Sequence, residues 1–139
     1  MTVKTCSIQL KTRGNGDIKD ITDAVARKVQ NSEIENGVVT LFTSSSTSGL
    51  TTIEYESGCV SDLQRLFDEI IDPARHYAHN ARWQDGNGHS HVRAALLGAS
   101  LSVPFVARRL KLGTWQQIIL VDFDNRSRHR ELVVQIMGD

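Results

Sequence analysis

The chain has 139 residues, 40% hydrophobic and 23% charged, the size and balance of a globular domain able to bury a core. Sixteen Lys and Arg offset sixteen Asp and Glu, so the formal net charge is zero; that argues against a grip on nucleic acid, which needs a basic face. No apolar run approaches the ~20 residues of a membrane span. The N-terminus lacks the pattern of a signal peptide. Two cysteines, Cys6 and Cys59, with no CxxC, suit a reduced cytoplasmic setting better than a disulfide framework.

Met1 to Thr12 places Cys6, Ile8 and Leu10 on one side and Thr5, Ser7 and Gln9 on the other, the period of two of a half-buried strand. Gly14-Asn15-Gly16 is a turn; it lacks the further glycine and the lysine of a nucleotide cradle. From Asp17 the apolar spacing becomes helical, through Ile18, Ile21, Val25 and Val29. Asn36-Gly37 turns the chain into a strand over Gly37 to Thr43. A hydroxyl-rich loop follows to Gly49, then a strand from Leu50 to Glu56 with Thr52, Glu54 and Glu56 on one face.

Ser61 and Gln64 form a capping box that starts a second helix, whose stripe is Leu63, Leu66, Phe67, Ile70 and Ile71 and whose stop is Pro73. Val92 to Leu97 reads as a short helix ending at Gly98, with a start as early as Gly88 also open. Leu101 to Val106 is strand-like, and Pro104 confines it to an edge or bulge. Thr114 to Phe123 and His129 to Met137 read as a terminal hairpin about the turn at Asp124 to Ser127. Arg108, Arg109 and Lys111, and the run from Arg126 to Arg130, read as solvated strand ends and a turn. Trp115 reads as a core residue first and as a stacking surface for a ligand second. The sum is an α+β domain over residues 1–139, its sheet largely antiparallel.

The segment from His79 to His91 holds three of the five histidines, with Arg82, Asp85 and Asn87 between them and glycine at 86 and 88. Imidazole is the commonest metal ligand, and three with an open fourth position make a catalytic zinc pattern. The spacing leaves a second option: Asn87-Gly88 opening a helix offers free amides to an anion, with Arg82 as a clamp on phosphate and the Ser44–Gly49 loop nearby. A hydrogen-bonded loop satisfying its own backbone is the third. Glu54, after the hydroxyl loop, is a candidate acid or base if partly buried, and a solvent-facing strand residue otherwise.

The blocks Ser46-Thr47-Ser48-Gly49-Leu50-Thr51-Thr52-Ile53-Glu54-Tyr55-Glu56, His79-Asn80, Asp85-Gly86-Asn87-Gly88-His89-Ser90-His91 and Leu112-Gly113-Thr114-Trp115-Gln116-Gln117-Ile118 resemble, in order, the YjbQ-like family, the so-called secondary thiamine-phosphate synthase proteins. Leu97-Gly98, Pro104, Val133-Val134-Gln135 and Gly138 also fit. The resemblance implies antiparallel β-sheets packed as a sandwich with a few helices, assembled as a homotrimer. It implies His79, His89 and His91 as metal or anion ligands and Asp85 as a ligand or acid/base group. Asn87, Thr47 and Glu54 would line the pocket. A divalent metal (zinc, manganese or magnesium) and a small phosphorylated molecule are the expected cofactor and partner. The activity implied is weak thiamine-phosphate synthesis, the joining of a pyrimidine diphosphate to a thiazole phosphate, with Arg82 and the metal stabilising the leaving pyrophosphate. A metal-dependent phosphate-ester hydrolase and a non-catalytic ligand-binding trimer are the alternatives. The chain departs from the pattern at Arg108, where the family commonly has glycine.

Overall fold

The computed structural model describes residues 1–139. In chain order the elements are β1 (Thr2–Thr12), β2 (Asp17–Asp20), α1 (Thr22–Asn31), β3 (Gly37–Thr43), β4 (Ser48–Ile53), α2 (Ser57–Ile70), α3 (Ala78–Trp83), α4 (Gly88–Leu97), β5 (Ser100–Val106), β6 (Arg109–Leu110), β7 (Gln117–Asp122) and β8 (Arg128–Gly138). Five strands form one antiparallel sheet in the order β1-β8-β3-β5-β6, and three form a second in the order β2-β7-β4.

The three-stranded sheet is the middle layer. One side of its central strand sends Ile118 and Leu120 into a core shared with α1 and with Ile8, Leu41, Phe105 and Val134 of the larger sheet. The other side sends Ile119 and Val121 into a second core with Phe67 and Ile71, from and just beyond α2, and Ala94 of α4. Each side excludes water, so β7 is apolar at successive positions rather than alternate ones. Phe67 meets Phe123 edge-on, ring centroids 4.8 Å apart, and ties α2 to this layer.

Several elements differ from the sequence expectation, each for a local reason. The helix expected from Asp17 begins at Thr22, because Asp17–Asp20 pairs with β7 and Ile18 serves the second core as a strand residue. The helix expected at Ser61 begins at Ser57, because Glu56 caps it: its carboxylate accepts from the amides of Gly58 (2.6 Å) and Cys59 (2.9 Å). Leu66 and Ile70, expected in the buried stripe, lie on an exposed face of α2. The strand read through Glu56 ends at Ile53. β7 and β8 do not pair as a hairpin; the turn at 124–127 carries the chain from one sheet to the other. Trp115 is 72% exposed rather than core.

The amide bonds to Gly58 and Cys59 favour ionised Glu56 and hold its pKa below the ordinary glutamate value. A depressed carboxylate contributes stability above its unfolded pKa and loses it as pH falls through the folded one. Wild type should therefore exceed Glu56→Gln in stability by a constant amount above about pH 5, and the gap should close on acidification below about pH 4. Urea titrations of both proteins across that range check this; a gap independent of pH would count against the capping role.

Arg108 sits where the strand β5 turns into β6, with φ of 59° beside Ala107 at 49°. Both are left-handed conformations that glycine adopts without steric cost. Arg108 is held there by its ion pair with Glu35 (2.6 Å) and by its amide donating to the Glu35 carbonyl (2.9 Å).

Candidate functional site

The helix α3, unexpected from sequence, brings His79 round to face the next helix. Its C-cap Gln84 is left-handed (φ 55°), and Gly86 (φ 66°) completes the reversal into α4. Gly88 permits the close approach of the two helices: a β-carbon there would lie 2.5 Å from Cβ of Tyr77 and 3.0 Å from Oδ1 of Asn80. The rings of His79 and His91 meet with centroids 4.4 Å apart. One ligand atom from each of His79, Asp85 and His91 lies within 4.8 Å of the others, and the cluster opens on the surface.

Each member is oriented by a neighbour. Asp85 Oδ1 accepts from the Asn87 amide (3.1 Å), and His79 Nε2 donates to Asp85 Oδ2 (3.2 Å). The Asn87 amide and then His79 favour its anionic form and outweigh desolvation, so its pKa lies below the ordinary aspartate value. Nδ1 of His91 donates to the Ser46 carbonyl (3.2 Å), a contact that selects the tautomer whose Nε2 carries a free lone pair.

The structure does not bring His89 to this cluster. It is 7% exposed and points into the interior beside Tyr77, with Nδ1 buried and without a partner. Burial and then the charge of Arg93 push its pKa down, keeping the ring neutral. Two residues along a helix is about 200° of rotation, so His89 and His91 face opposite ways. Arg93 itself is buried, donating to the Ile71 carbonyl at the end of α2 (3.1 and 2.8 Å) and to Asp68 (3.0 Å), and so pins α4 in place.

At the helix N-terminus the leading amide and the Asn87 side chain are already engaged. The Gly88 amide donates to Asn80 Oδ1 (2.8 Å), and Asn87 Oδ1 accepts from the Asn125 amide (3.1 Å). Arg82 is exposed with its guanidinium 5.5 Å from the Trp83 ring centroid. Glu54 is exposed beyond the end of β4, with no side-chain contact to the cluster.

Thr47 lies behind the cluster in a buried ionic network that the sequence reading missed. Its hydroxyl donates to Asp124 Oδ2 (2.9 Å) and accepts from Arg130 Nη2 (2.8 Å). Arg130 grips Asp122 through Nε (2.7 Å) and Nη2 (2.9 Å), while Arg128 reaches Asp124 (3.0 Å). Burial pushes the Asp124 pKa up, but the hydrogen bonds from Thr47 and Arg128 and the Arg128 charge bring it below the ordinary value. The run from Arg126 to Arg130 is thus in part an internal counter-charge rather than a solvated turn. The signal was available: Asp122 and Asp124 flank Phe123 at the end of an apolar strand, and a carboxylate there needs a buried cation.

The fold and the cluster together define an α+β protein of two antiparallel sheets with a His-Asp-His centre at its surface. The chain belongs to the UPF0047 YjbQ-like family, whose pattern matches residues 6–139. It is similar to a UPF0047 protein of Methanothermobacter thermautotrophicus, 36% identical over 99% of this chain and 94% of that one. YugU of Bacillus subtilis is 33% identical over 95% of this chain and 98% of its own. Among solved structures, a YbjQ-like protein of Sulfolobus solfataricus superposes with a TM-score of 0.94 at 34% identity, covering 99% of each chain. A YjbQ/UPF0047 protein of Clostridium acetobutylicum gives 0.87 at 30% identity, covering 95% of this chain and 99% of that one. No helix is long and apolar enough to cross a membrane.

Proposed function

We propose that His79, Asp85 and His91 hold a divalent metal, and that the protein is a metal-assisted enzyme acting on a small phosphorylated metabolite. The observation that carries this is the convergence of two imidazoles and an ionised carboxylate, with His91 already oriented by a backbone carbonyl as metal-bound histidines are. Two nitrogen donors favour zinc over magnesium and manganese, which take oxygen more readily, while the Asp85 carboxylate keeps manganese a second candidate. Three protein ligands leave open positions, and a metal there would supply Lewis-acid stabilisation of phosphate oxygens.

Transfer between phosphorylated partners, of the thiamine-phosphate synthase kind, asks mainly for charge stabilisation and needs no separate base. The geometry suits that demand, since Asp85 is the carboxylate of the cluster and Glu54 lies outside it. Hydrolysis of a phosphate ester at the same centre, and binding without turnover, are the competing readings. Self-association as a homotrimer is part of the reading. The outer side of the five-stranded sheet exposes Val3, Met137 and Val38 side by side in register, with Phe42 on the same strand as Val38. Two unpaired cysteines suit a cytoplasmic location. Sedimentation at micromolar concentration should give a trimer, and a monomer would refute that part.

The test is elemental analysis of untagged protein purified without added metal, wild type beside His91→Ala. Near-stoichiometric zinc or manganese in the wild type, lost in the variant, is expected. An absence of metal in the wild type, also after dialysis against zinc, would reject the centre.

A further inference from the structure

We propose that the cavity beside His91 seats the uncharged body of the substrate, whose phosphate head lies on the His79-Asp85-His91 centre; the assignment of the head rests on the function proposed above. The cavity is about 340 Å³, within the range of small-molecule sites. His91 stands at one end of it. Ser45, Ser46 and Ser48 form one wall, and Ala94, Ala95 and Ala99 line the other.

It is an open groove, and no Lys, Arg, Asp or Glu lines it, so a charged group placed there would meet no counter-charge. The anionic end of a ligand must therefore lie at the imidazole end. The hydroxyl of Ser48 is taken by Thr43 (2.8 Å), and that of Ser45 receives the Thr47 amide (3.1 Å). The Ser46 hydroxyl has no partner and is the one polar side-chain group free to meet the ligand body. The opposite wall offers methyl groups and backbone, a surface for an apolar chain or small ring.

The walls stand on fixed elements. Ser48 opens β4, and Gly49 lets that strand run against the end of α4, since a β-carbon there would lie 2.9 Å from the Gly98 carbonyl oxygen. The serine wall is also the segment that orients His91 through the Ser46 carbonyl. One loop thus shapes the seat for the body and holds the ligand for the head, and the substrate class follows: a phosphate monoester with a compact, uncharged, largely apolar body.

Calorimetric titration of the full-length protein, manganese-loaded and metal-free, with inorganic phosphate and with methyl, butyl and hexyl phosphate tests this. Butyl phosphate should bind about tenfold or more tighter than methyl phosphate, since each buried methylene adds roughly threefold to fourfold in affinity. In Ala95→Phe, an exposed position where the larger ring occupies the cavity, the dependence on chain length should vanish; Ala99→Leu is the second variant if that one misfolds. Equal affinities along the series in wild type would overturn the proposal. A chain-length gain that persists when phosphate binding is indifferent to manganese would uphold the cavity and refute a phosphate head held by manganese. Failure of every ester to bind would refute both.

Discussion

Replacing Arg130 by alanine should destabilise the protein by about 3–5 kcal/mol, the usual result of leaving a buried carboxylate without its cation. Asp122 is fully buried, and Arg130, itself 13% exposed, occupies both its oxygens. What would remain is the hydroxyl of Thr12 (2.6 Å) on Oδ2 and the Asp124 amide (3.1 Å) on Oδ1. Two neutral donors do not replace a bidentate guanidinium in a site closed to water. The melting temperature should fall by roughly 10–20 °C for a chain of this length. Replacing both partners with apolar residues of similar volume, Asp122→Leu with Arg130→Met, should recover much of the loss, because no charge is then stranded. Urea denaturation of the three proteins decides it; a cost below about 1 kcal/mol for Arg130→Ala would show that solvent reaches Asp122.

Gly88→Ala should separate the two halves of the candidate centre. The added methyl meets Tyr77 Cβ and Asn80 Oδ1 inside ordinary contact distance, at the start of α3 and within it. Neither neighbour yields cheaply. Asn80 Oδ1 holds the Gly88 amide, and the Tyr77 hydroxyl donates to the Asp72 carbonyl (2.6 Å). Helix α3 must then shift, taking His79 away from His91. Overpacking of this kind costs about 1–3 kcal/mol. The larger effect should fall on metal affinity, which we expect to drop by about 10–100-fold, as when the support of a metal ligand is lost. Competition titration of zinc with a chromophoric chelator measures it. Unchanged affinity in a folded Gly88→Ala protein would mean that His79 is not a ligand.

Much of the scaffold can be read from side-chain periodicity alone. Alternation along Met1 to Thr12 gives a strand whose inward Ile8 does enter the core, and the apolar-rich segment Gly37 to Thr43 gives another that enters it through Val39 and Leu41. Periodicity does not carry the pairing. The segment Ile118 to Val121 and the final strand look like a hairpin because they are adjacent in sequence and joined by a short turn. The unbroken apolar run of the former marks it instead as the buried centre of its own sheet. The cap of α2 is Glu56, read from sequence as a strand residue, and not Ser61, because the Glu56 carboxylate reaches two free amides at once.

The candidate centre was legible as a composition and not as a geometry. His79, Asp85 and His91 stand out as residue types, but their convergence depends on a six-residue helix too short to show a period. His89 has the same chemistry and the opposite direction, which only the start of α4 at Gly88 decides. Thr47, expected to line a pocket, instead braces the loop that does so.

The position of β8 has a consequence for synthesis. It lies between β1 and β3, pairing with both, although it is the last strand of the chain. Until β8 has been made, the first strand has no neighbour in its sheet, and only α1 is there to cover part of its apolar side. Arg130, which braces the Thr47 loop, arrives with the same strand. Contacts between such distant parts of a chain form slowly. Folding of the large sheet and bracing of the centre should therefore come together as one event once β8 is available, with the nascent chain dependent until then on whatever shields its exposed apolar strands.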